Sequence, residues 1–287
     1  MKTDFPKITI LGGGLLGGSM ALALAKLGEP PVVHLWARKQ ETVDAAKELG
    51  IPGVTHDLAE AIQDANLLIL AVPVGSMAAL VSDCLAAGLP DNCLITDVGS
   101  VKRVPHRKLA PLLKDRNIRF IGSHPMAGSE RNGLSAVSAT LFENAACLLT
   151  NDDAAPAEMA AALERFWKTI GCRTSWMSAS IHDELVARIS HLPHIVAASA
   201  ARVCLKDPSE GKFGGGGLRD TTRVAAGNPT MWAEIVIENR QALIGLLEET
   251  ISDLGEMVRH LEDVDQEKAR QWLVTAKQRR DPLNKFC

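Results

Sequence analysis

Ile8-Thr9-Ile10-Leu11-Gly12-Gly13-Gly14-Leu15-Leu16-Gly17-Gly18-Ser19 stands close to the N-terminus of a 287-residue chain. Its β-branched opening reads as a strand, which runs directly into glycines spaced G-x-G-x-x-G at Gly12, Gly14 and Gly17. Met20 to Gly28 behind them reads as a helix closed by a glycine stop. Strand, glycines and helix in that order suit a dinucleotide pyrophosphate. Gly12 permits the tight turn and Gly14 lets backbone approach the phosphates. Gly17 lets helix and strand pack closely, with the helix N-terminus facing the negative charge. Leu15 and Leu16 complete this candidate cofactor loop. The competing reading is an ordinary βα turn in some other α/β domain.

Working outward, Val32-Val33-His34-Leu35-Trp36 reads as the second strand, followed by a helix from Gln40 to Leu49. An NAD-dependent protein usually places a carboxylate at the end of this strand, where it binds the ribose hydroxyls. Here Ala37 occupies that position, and Arg38 and Lys39 follow. Without a carboxylate a 2′-phosphate is not repelled, and Arg38 can form charge-assisted bonds to it. NADP is therefore the expected cofactor and NAD the alternative, with a solvated pair of charges as the plainer reading of Arg38 and Lys39.

The apolar run Asn66 to Pro73 has the character of a parallel strand buried on both faces, with Val72 and Pro73 turning out at its ligand-facing end. Cys93 to Asp97 and Arg119 to Gly122 are further strands. Ala145 to Thr150 and Cys172 to Trp176 are added strands flanking a helix from Ala157 to Ile170. Strand alternates with helix, which predicts an α/β, Rossmann-type doubly wound parallel sheet. Ser100 and His124 follow two of these strands. His124 is expected in a loop of small residues, where a neutral imidazole accepts a proton and a hydroxyl holds its orientation. A structural histidine is the alternative. Glu130 either orients a histidine or is simply solvated.

Bulk properties narrow the field. A net charge of −3 offers no electrostatic case for nucleic acid or an anionic membrane surface. Six cysteines without C-x-x-C spacing read as thiols of a reducing, cytoplasmic compartment. The longest apolar run is too short to span a bilayer, and the chain enters its first strand too soon for a signal peptide. His191 and His194 raise the question of a metal pair, but they lack a third ligand, so no metal is expected.

The alternation stops near Trp176, which places a dinucleotide-binding domain over residues 1–176 and an all-helical domain over 177–287. Ser178 can cap a helix from Ile181 to Leu205 that Pro193 should kink. A glycine-rich turn, Lys212 to Asp220, leads to a short helix through Arg223. A long helix then runs from Asn228 to His260, and a last one from Asp265 to Arg280. Leu243, Leu247, Thr250, Leu254, Met257 and Leu261 repeat at four- and three-residue steps, a heptad seam made for another helix. A homodimer built through these C-terminal helices is the expectation.

The glycine loop, Asp97-Val98-Gly99-Ser100-Val101-Lys102, Gly122 to Glu130, Ser190-His191-Leu192-Pro193-His194 and Gly215 to Arg223 together resemble the prephenate/arogenate dehydrogenases of tyrosine biosynthesis. The resemblance covers nearly the whole chain. It implies a Rossmann domain followed by a helical dimerisation domain, and oxidation of a cyclohexadienyl alcohol with loss of its ring carboxylate. By position in the motifs it implies that His124 is the base or hydroxyl partner and Ser100 its companion. It further implies that Arg223 binds a substrate carboxylate, that His194 binds substrate, and that Trp232 and Glu130 line or gate the site. Residue by residue, Arg223 would otherwise pass for a surface charge and Trp232 for core. Nothing in the sequence separates prephenate from arogenate. Two other readings compete. A different β-hydroxyacid-type dehydrogenase would usually place a lysine on the first interdomain helix, and Ile181 to Leu205 has none. A non-catalytic NADP-binding sensor would have no use for Ser100, His124 and Arg223 together.

Overall fold

The computed structural model describes residues 2–127 and 133–285, so Glu130 lies outside the described residues. The first half alternates strictly. In order come β1 (Lys7–Leu11), α1 (Leu15–Ala25), β2 (Val32–Trp36), α2 (Gln40–Glu48), β3 (Val54–Thr55), α3 (Leu58–Ile62), β4 (Leu67–Leu70), α4 (Val74–Ala86), β5 (Leu94–Asp97), α5 (Arg103–Leu113) and β6 (Arg119–Pro125). Then follow β7 (Ala146–Thr150), α6 (Ala157–Thr169) and β8 (Arg173–Trp176). The strands form one sheet in the order β3-β2-β1-β4-β5-β6-β7-β8, parallel except where β7 runs against β6. This is the doubly wound Rossmann arrangement, with its strand order reversing between β1 and β4 at the glycine loop.

Period-two alternation within each strand divides the core between the two faces. Ile8 and Ile10 of β1 join Leu67 and Ile69 of β4 on one face, packed with Met20, Leu24, Phe166 and Trp167. Leu11, Leu68 and Leu70 point the other way, into a cluster with Val81, Ile95, Leu109 and Phe120. Every residue of β4 is buried, as its unbroken apolar run requires.

Three expectations are corrected. The first helix starts at Leu15, not Met20, with Gly14 as its N-cap, so the glycine loop and the first helical turn are one unit. His124 is not in a loop. It belongs to β6, because β7 pairs with the far end of that strand and sets His124 opposite Leu148. The helix expected from Ile181 to Leu205 is α7 (Ala179–Val186), a π-type turn (Ala187–His191) and α8 (Leu192–Cys204). Proline has no amide hydrogen and its ring crowds the carbonyl one turn back, so the backbone widens just before Pro193.

The glycine-rich segment is also more ordered than a turn, since α9 (Gly216–Thr222) begins within it and a 3₁₀ turn, Arg223–Ala226, follows. The long helix expected from Asn228 is divided into α10 (Pro229–Glu238) and α11 (Arg240–Glu262). Asn228 caps α10 by accepting from the amides of Thr230 and Met231, at 3.0 and 3.1 Å.

The chain forms two compact units, residues 1–239 and 240–287. The second is α11 with α12 (Gln266–Arg280), joined by a turn in which Asp265 caps α12 and tied by Trp272 Nε1 donating to Asp253 at 3.2 Å. Along α11 the heptad positions differ in exposure. Leu243 is buried, while Leu254 and Leu261 are open, as are Ile244, Ile251 and Val258 beside them. Among the described residues no helix is long and apolar enough to cross a membrane.

Two glycines of the loop separate packing from binding. A Cβ on Gly17 would strike the Gly12 carbonyl, whereas one on Gly14 would meet nothing within 4 Å. Gly17→Ala is expected to cost about 1–3 kcal/mol and several degrees of Tm. Gly14→Ala should leave Tm within about 2 °C while weakening dinucleotide affinity; thermal melts and cofactor titration check both.

Candidate active site

The glycine loop offers the cradle that a pyrophosphate needs. Gly12 turns at φ +127°, where an L side chain is strained, and its missing Cβ lets the loop lie against the Ala71 carbonyl. Gly14 faces open space. Helix α1 has no side-chain cap and no acidic residue in its first turn, so its leading amides face the cleft with the positive end of the helix dipole. These features fit a bound dinucleotide.

The carboxyl ends of β1, β4, β5 and β6 converge on a cavity of about 380 Å³. Gly14, Leu15, Leu16, Val72, Pro73, Ser100 and His124 all line it, and Met231, Glu234, Ile235 and Glu238 of α10 close its far side. The structure thus brings half of the residues singled out in the sequence to one cavity. Gly12 and Gly17 are not among those lining the cavity. Arg38 lies at the end of β2, exposed beside the N-terminus of α2, which lacks a side-chain cap.

Ser100 rides on a loop nailed down by a buried ion pair. Lys102, with no exposed surface, donates its ammonium to Asp97 and to the Gly99 carbonyl at 2.9 Å. Asp97 also accepts from the amides of Gly99 at 2.9 Å and of Ser123 at 3.1 Å. The second of these bonds joins the loop after β5 to the strand that carries His124. Ser123 continues the network through Thr96 at 2.7 Å and the Trp167 indole at 2.9 Å.

His124 Nδ1 lies 2.9 Å from His182 Nε2, and His182 Nδ1 lies 2.8 Å from Asp183. All three are buried. Burial, then the neighbouring His182, Lys102 and His191, push His124 well below the usual imidazole range, so it is neutral at pH 7. Burial lowers His182 as well. Burial alone would raise Asp183, but bonds from His182 and from the Lys102 and Arg103 amides hold its carboxyl below the ordinary value. Those two amides, at 2.7 and 3.0 Å, are the leading donors of α5, so Asp183 caps that helix from another part of the chain.

His194 and Trp232 meet in a second cluster, and neither they nor Arg223 line the cavity. His194 stacks flat on Trp232, with ring centroids 3.5 Å apart and planes 9° apart, and His191 meets the same indole edge-on at 6.1 Å. The turn that begins at Arg223 ends at Gly227, where an added Cβ would sit 2.6 Å from the Trp232 nitrogen and 3.2 Å from His194. Asn239 joins the clusters by donating to the Asp183 carbonyl at 2.7 Å while lying 3.1 Å from His191 Nδ1. That anchoring is why the chain breaks between α10 and α11. Buried His191 Nε2 and His194 Nδ1 have no protein partner among the described residues, leaving polar capacity for an oxygen-rich ligand. No group of metal-ligating residues occurs among the described residues.

From sequence His182 reads as an ordinary structural histidine and Lys102 only as the end of the Asp97–Lys102 motif, while Asp183 and Asn239 carry no signal. Lys102 and Asp97 bracket the motif that contains Ser100, so the signal was present there. His182-Asp183 carries no spacing signal and becomes visible only when α7 is laid against β6.

Fold and site together define a dehydrogenase that uses a nicotinamide dinucleotide. Residues 20–176 match the family model described as prephenate dehydrogenase, nucleotide-binding domain, and 178–275 match prephenate dehydrogenase, dimerization domain. The cyclohexadienyl dehydrogenase of Zymomonas mobilis is 35% identical over 261 residues, covering 89% of this chain and 88% of that protein. The crystal structure of prephenate dehydrogenase from A. aeolicus, in complex with hydroxyphenyl propionate and NAD+, superposes with a TM-score of 0.88 at 27% identity. It covers 99% of this chain and all of that one. A Synechocystis arogenate dehydrogenase structure gives a TM-score of 0.78 at 28% identity over 96% of this chain and 99% of that one. The chain belongs to the prephenate dehydrogenase family and is an NAD(P)-dependent oxidoreductase.

The buried imidazoles set a pH limit on stability. His124, His182 and His191 are held below 6.5 in the folded chain, His191 at about 4 chiefly through burial, whereas the unfolded chain protonates them near 6.5. Stability is therefore intact above about pH 6.5 and lost as pH falls below it, with His191 alone contributing about 3 kcal/mol of loss by pH 4. Urea unfolding midpoints at pH 7.5, 6.0 and 5.0 should decline in that order; equal midpoints would contradict the neutral assignment.

Proposed function

We propose that this protein is an NADP-preferring prephenate dehydrogenase. It would oxidise the ring alcohol of prephenate and release the ring carboxylate as carbon dioxide, giving 4-hydroxyphenylpyruvate for tyrosine synthesis. The observation that carries the reading is a neutral, buried histidine, His124, presented with Ser100 to a cavity at the mouth of a dinucleotide cradle.

In this reading His124 accepts the proton of the substrate hydroxyl as the carbonyl forms, a role typically worth about 10²- to 10⁴-fold in rate. The bound nicotinamide supplies the acceptor for the hydride leaving the same ring carbon. Electrons of the carboxylate bond then enter the ring and reach the carbonyl oxygen, which takes the proton back from His124 to give the phenol, and aromatisation makes the step irreversible. Ser100 holds the hydroxyl and imidazole in register. His194, Arg223 and Trp232 would bind the substrate's carboxylates, and Glu130, outside the described residues, would take part in substrate binding.

Arg38 would bind the 2′-phosphate of NADP, supported by its exposure beside the uncapped N-terminus of α2 and by the absence of a carboxylate at Ala37. Functionally the chain would divide at 176/177. The open apolar positions of α11 support a homodimer formed through the C-terminal helices. The described cysteines are all free, and four of the five are buried, which supports a cytoplasmic setting. Arogenate, giving tyrosine directly, is the second reading, favoured by the likeness to an arogenate dehydrogenase.

The deciding measurement is initial rates with prephenate and with arogenate, each with NAD and NADP. Turnover is expected to be fastest with NADP; the absence of turnover in all four combinations would overturn the proposal. His124→Asn should lower kcat by about 10²- to 10⁴-fold while leaving NADPH affinity within about twofold. Arg38→Ala should weaken NADP relative to NAD by about tenfold, roughly 1.4 kcal/mol, and an unchanged ratio would remove Arg38 from phosphate binding.

A further inference from the structure

The hydrogen bonds behind His124 leave little freedom in where its proton sits. Asp183 is buried, accepts the Lys102 and Arg103 amides at 2.7 and 3.0 Å, and carries no proton of its own to offer. The His182 nitrogen facing it at 2.8 Å must therefore be the donor, which makes His182 the Nδ1–H tautomer. Its Nε2 is then a bare lone pair, 2.9 Å from His124 Nδ1. Two lone pairs cannot face one another at that distance, so His124 must also carry its hydrogen on Nδ1. What remains at His124 is an unprotonated Nε2, at the ring position away from this chain of bonds.

We propose that His182 and Asp183 are positioning residues that act through His124, holding it in the Nδ1–H tautomer so that Nε2 is the atom that takes the substrate proton. The proposal rests on the dehydrogenase reading above for its catalytic consequence. When the alcohol is oxidised, the O–H bond breaks and an N–H bond forms at His124 Nε2. The O–H electron pair becomes part of the new carbonyl, and a bound nicotinamide would accept the hydride that leaves the same carbon. The cation formed on His124 keeps its Nδ1–H pointed at His182 Nε2, and Asp183 holds the counter-charge one ring away. The ammonium of Lys102, already paired with Asp97, is not available to neutralise Asp183. A misoriented tautomer would present N–H where the substrate presents O–H, and the step would stall.

The arrangement also constrains geometry. His182 and Asp183 sit on α7, whereas His124 sits on β6, and the Lys102 and Arg103 amides sit at the start of α5. One carboxylate therefore fixes the base and the helix that follows the Ser100 loop. Moving α7 by an ångström would loosen both.

Two measurements test the assignment. In histidine-labelled protein at pH 7.5, two-bond ¹H–¹⁵N imidazole spectra should show His124 and His182 each protonated at Nδ1 and bare at Nε2. An Nε2–H tautomer at His124 would overturn the proposal, whatever the activity. Kinetically, His182→Gln keeps an acceptor oxygen near the Nε2 position, and His182→Asn does not reach it. We expect His182→Asn to lower kcat at least about 30-fold, with KM and NADP affinity within about threefold, and His182→Gln to stay within about tenfold of the parent. Equal losses in the two variants, or a loss confined to KM, would reduce His182 to a packing role. Should His182→Asn fail to fold, the spectra of the unmodified enzyme still decide. If the unmodified enzyme turns over neither substrate, the functional reading fails on its own, and the tautomer is judged by the spectra alone.

Discussion

The molecule is organised around a charge in a place where charges are costly. Lys102 has no contact with solvent, and stripping an ammonium of its water costs several kcal/mol unless a partner and further bonds replace it. Asp97 and the Gly99 carbonyl supply that replacement, and Asp97 in turn binds the Ser123 amide on the neighbouring strand. A pair that only broke even energetically would still be retained for what it specifies. It ties the loop after β5 to β6 and thereby fixes Ser100 relative to His124. Gly122 is small for the same reason, since a Cβ there would lie 2.7 Å from the Lys102 side chain.

From this pair one branch of the polar interior runs through Ser123 to Thr96 and Trp167, and another runs toward α7. Backbone amides at Lys102 and Arg103 lead to Asp183, Asp183 leads to His182 and so to His124, and its carbonyl leads through Asn239 to His191. His191 then touches Trp232, on which His194 is stacked. A continuous set of bonds and ring contacts thus spans the cavity and the second cluster. Buried polar groups linked in this way are expensive when any one is left unpaired, which is what makes the arrangement rigid. The lowered basicity of its histidines is chiefly a consequence of burial, to which the Lys102 ammonium adds at His124 and His182.

The dinucleotide cradle was legible from residue types because its requirements are local. A turn at positive φ, a close approach of helix to strand, and an uncapped helix start each demand glycine at one position. The sheet was legible because both faces are buried and β4 reads as an unbroken apolar run. His124 was placed in a loop by the same local logic, and wrongly, because its strand is extended by pairing with β7, which lies more than twenty residues further along the chain. The division of the long helix at Asn239 was invisible for a similar reason. Asparagine is tolerable inside a helix, and only its partners on α7 and the π-type turn make the break worthwhile.

What the sequence determined by itself was the class of fold and the cradle, since these follow from local spacing and the order of strand, glycines and helix; it singled out Ser100 and His124 by their strand ends, and His194 and Arg223 only through the family resemblance. Tertiary structure alone decided how those residues are grouped: Ser100 and His124 at the cavity, His194 beside Trp232 in a second cluster, with His182 and Asp183 behind His124. The bonds from His182 to His124 and from the Lys102 amide to Asp183 join residues more than fifty positions apart, and no periodicity in a chain encodes a contact that exists only after a helix has been laid against a sheet.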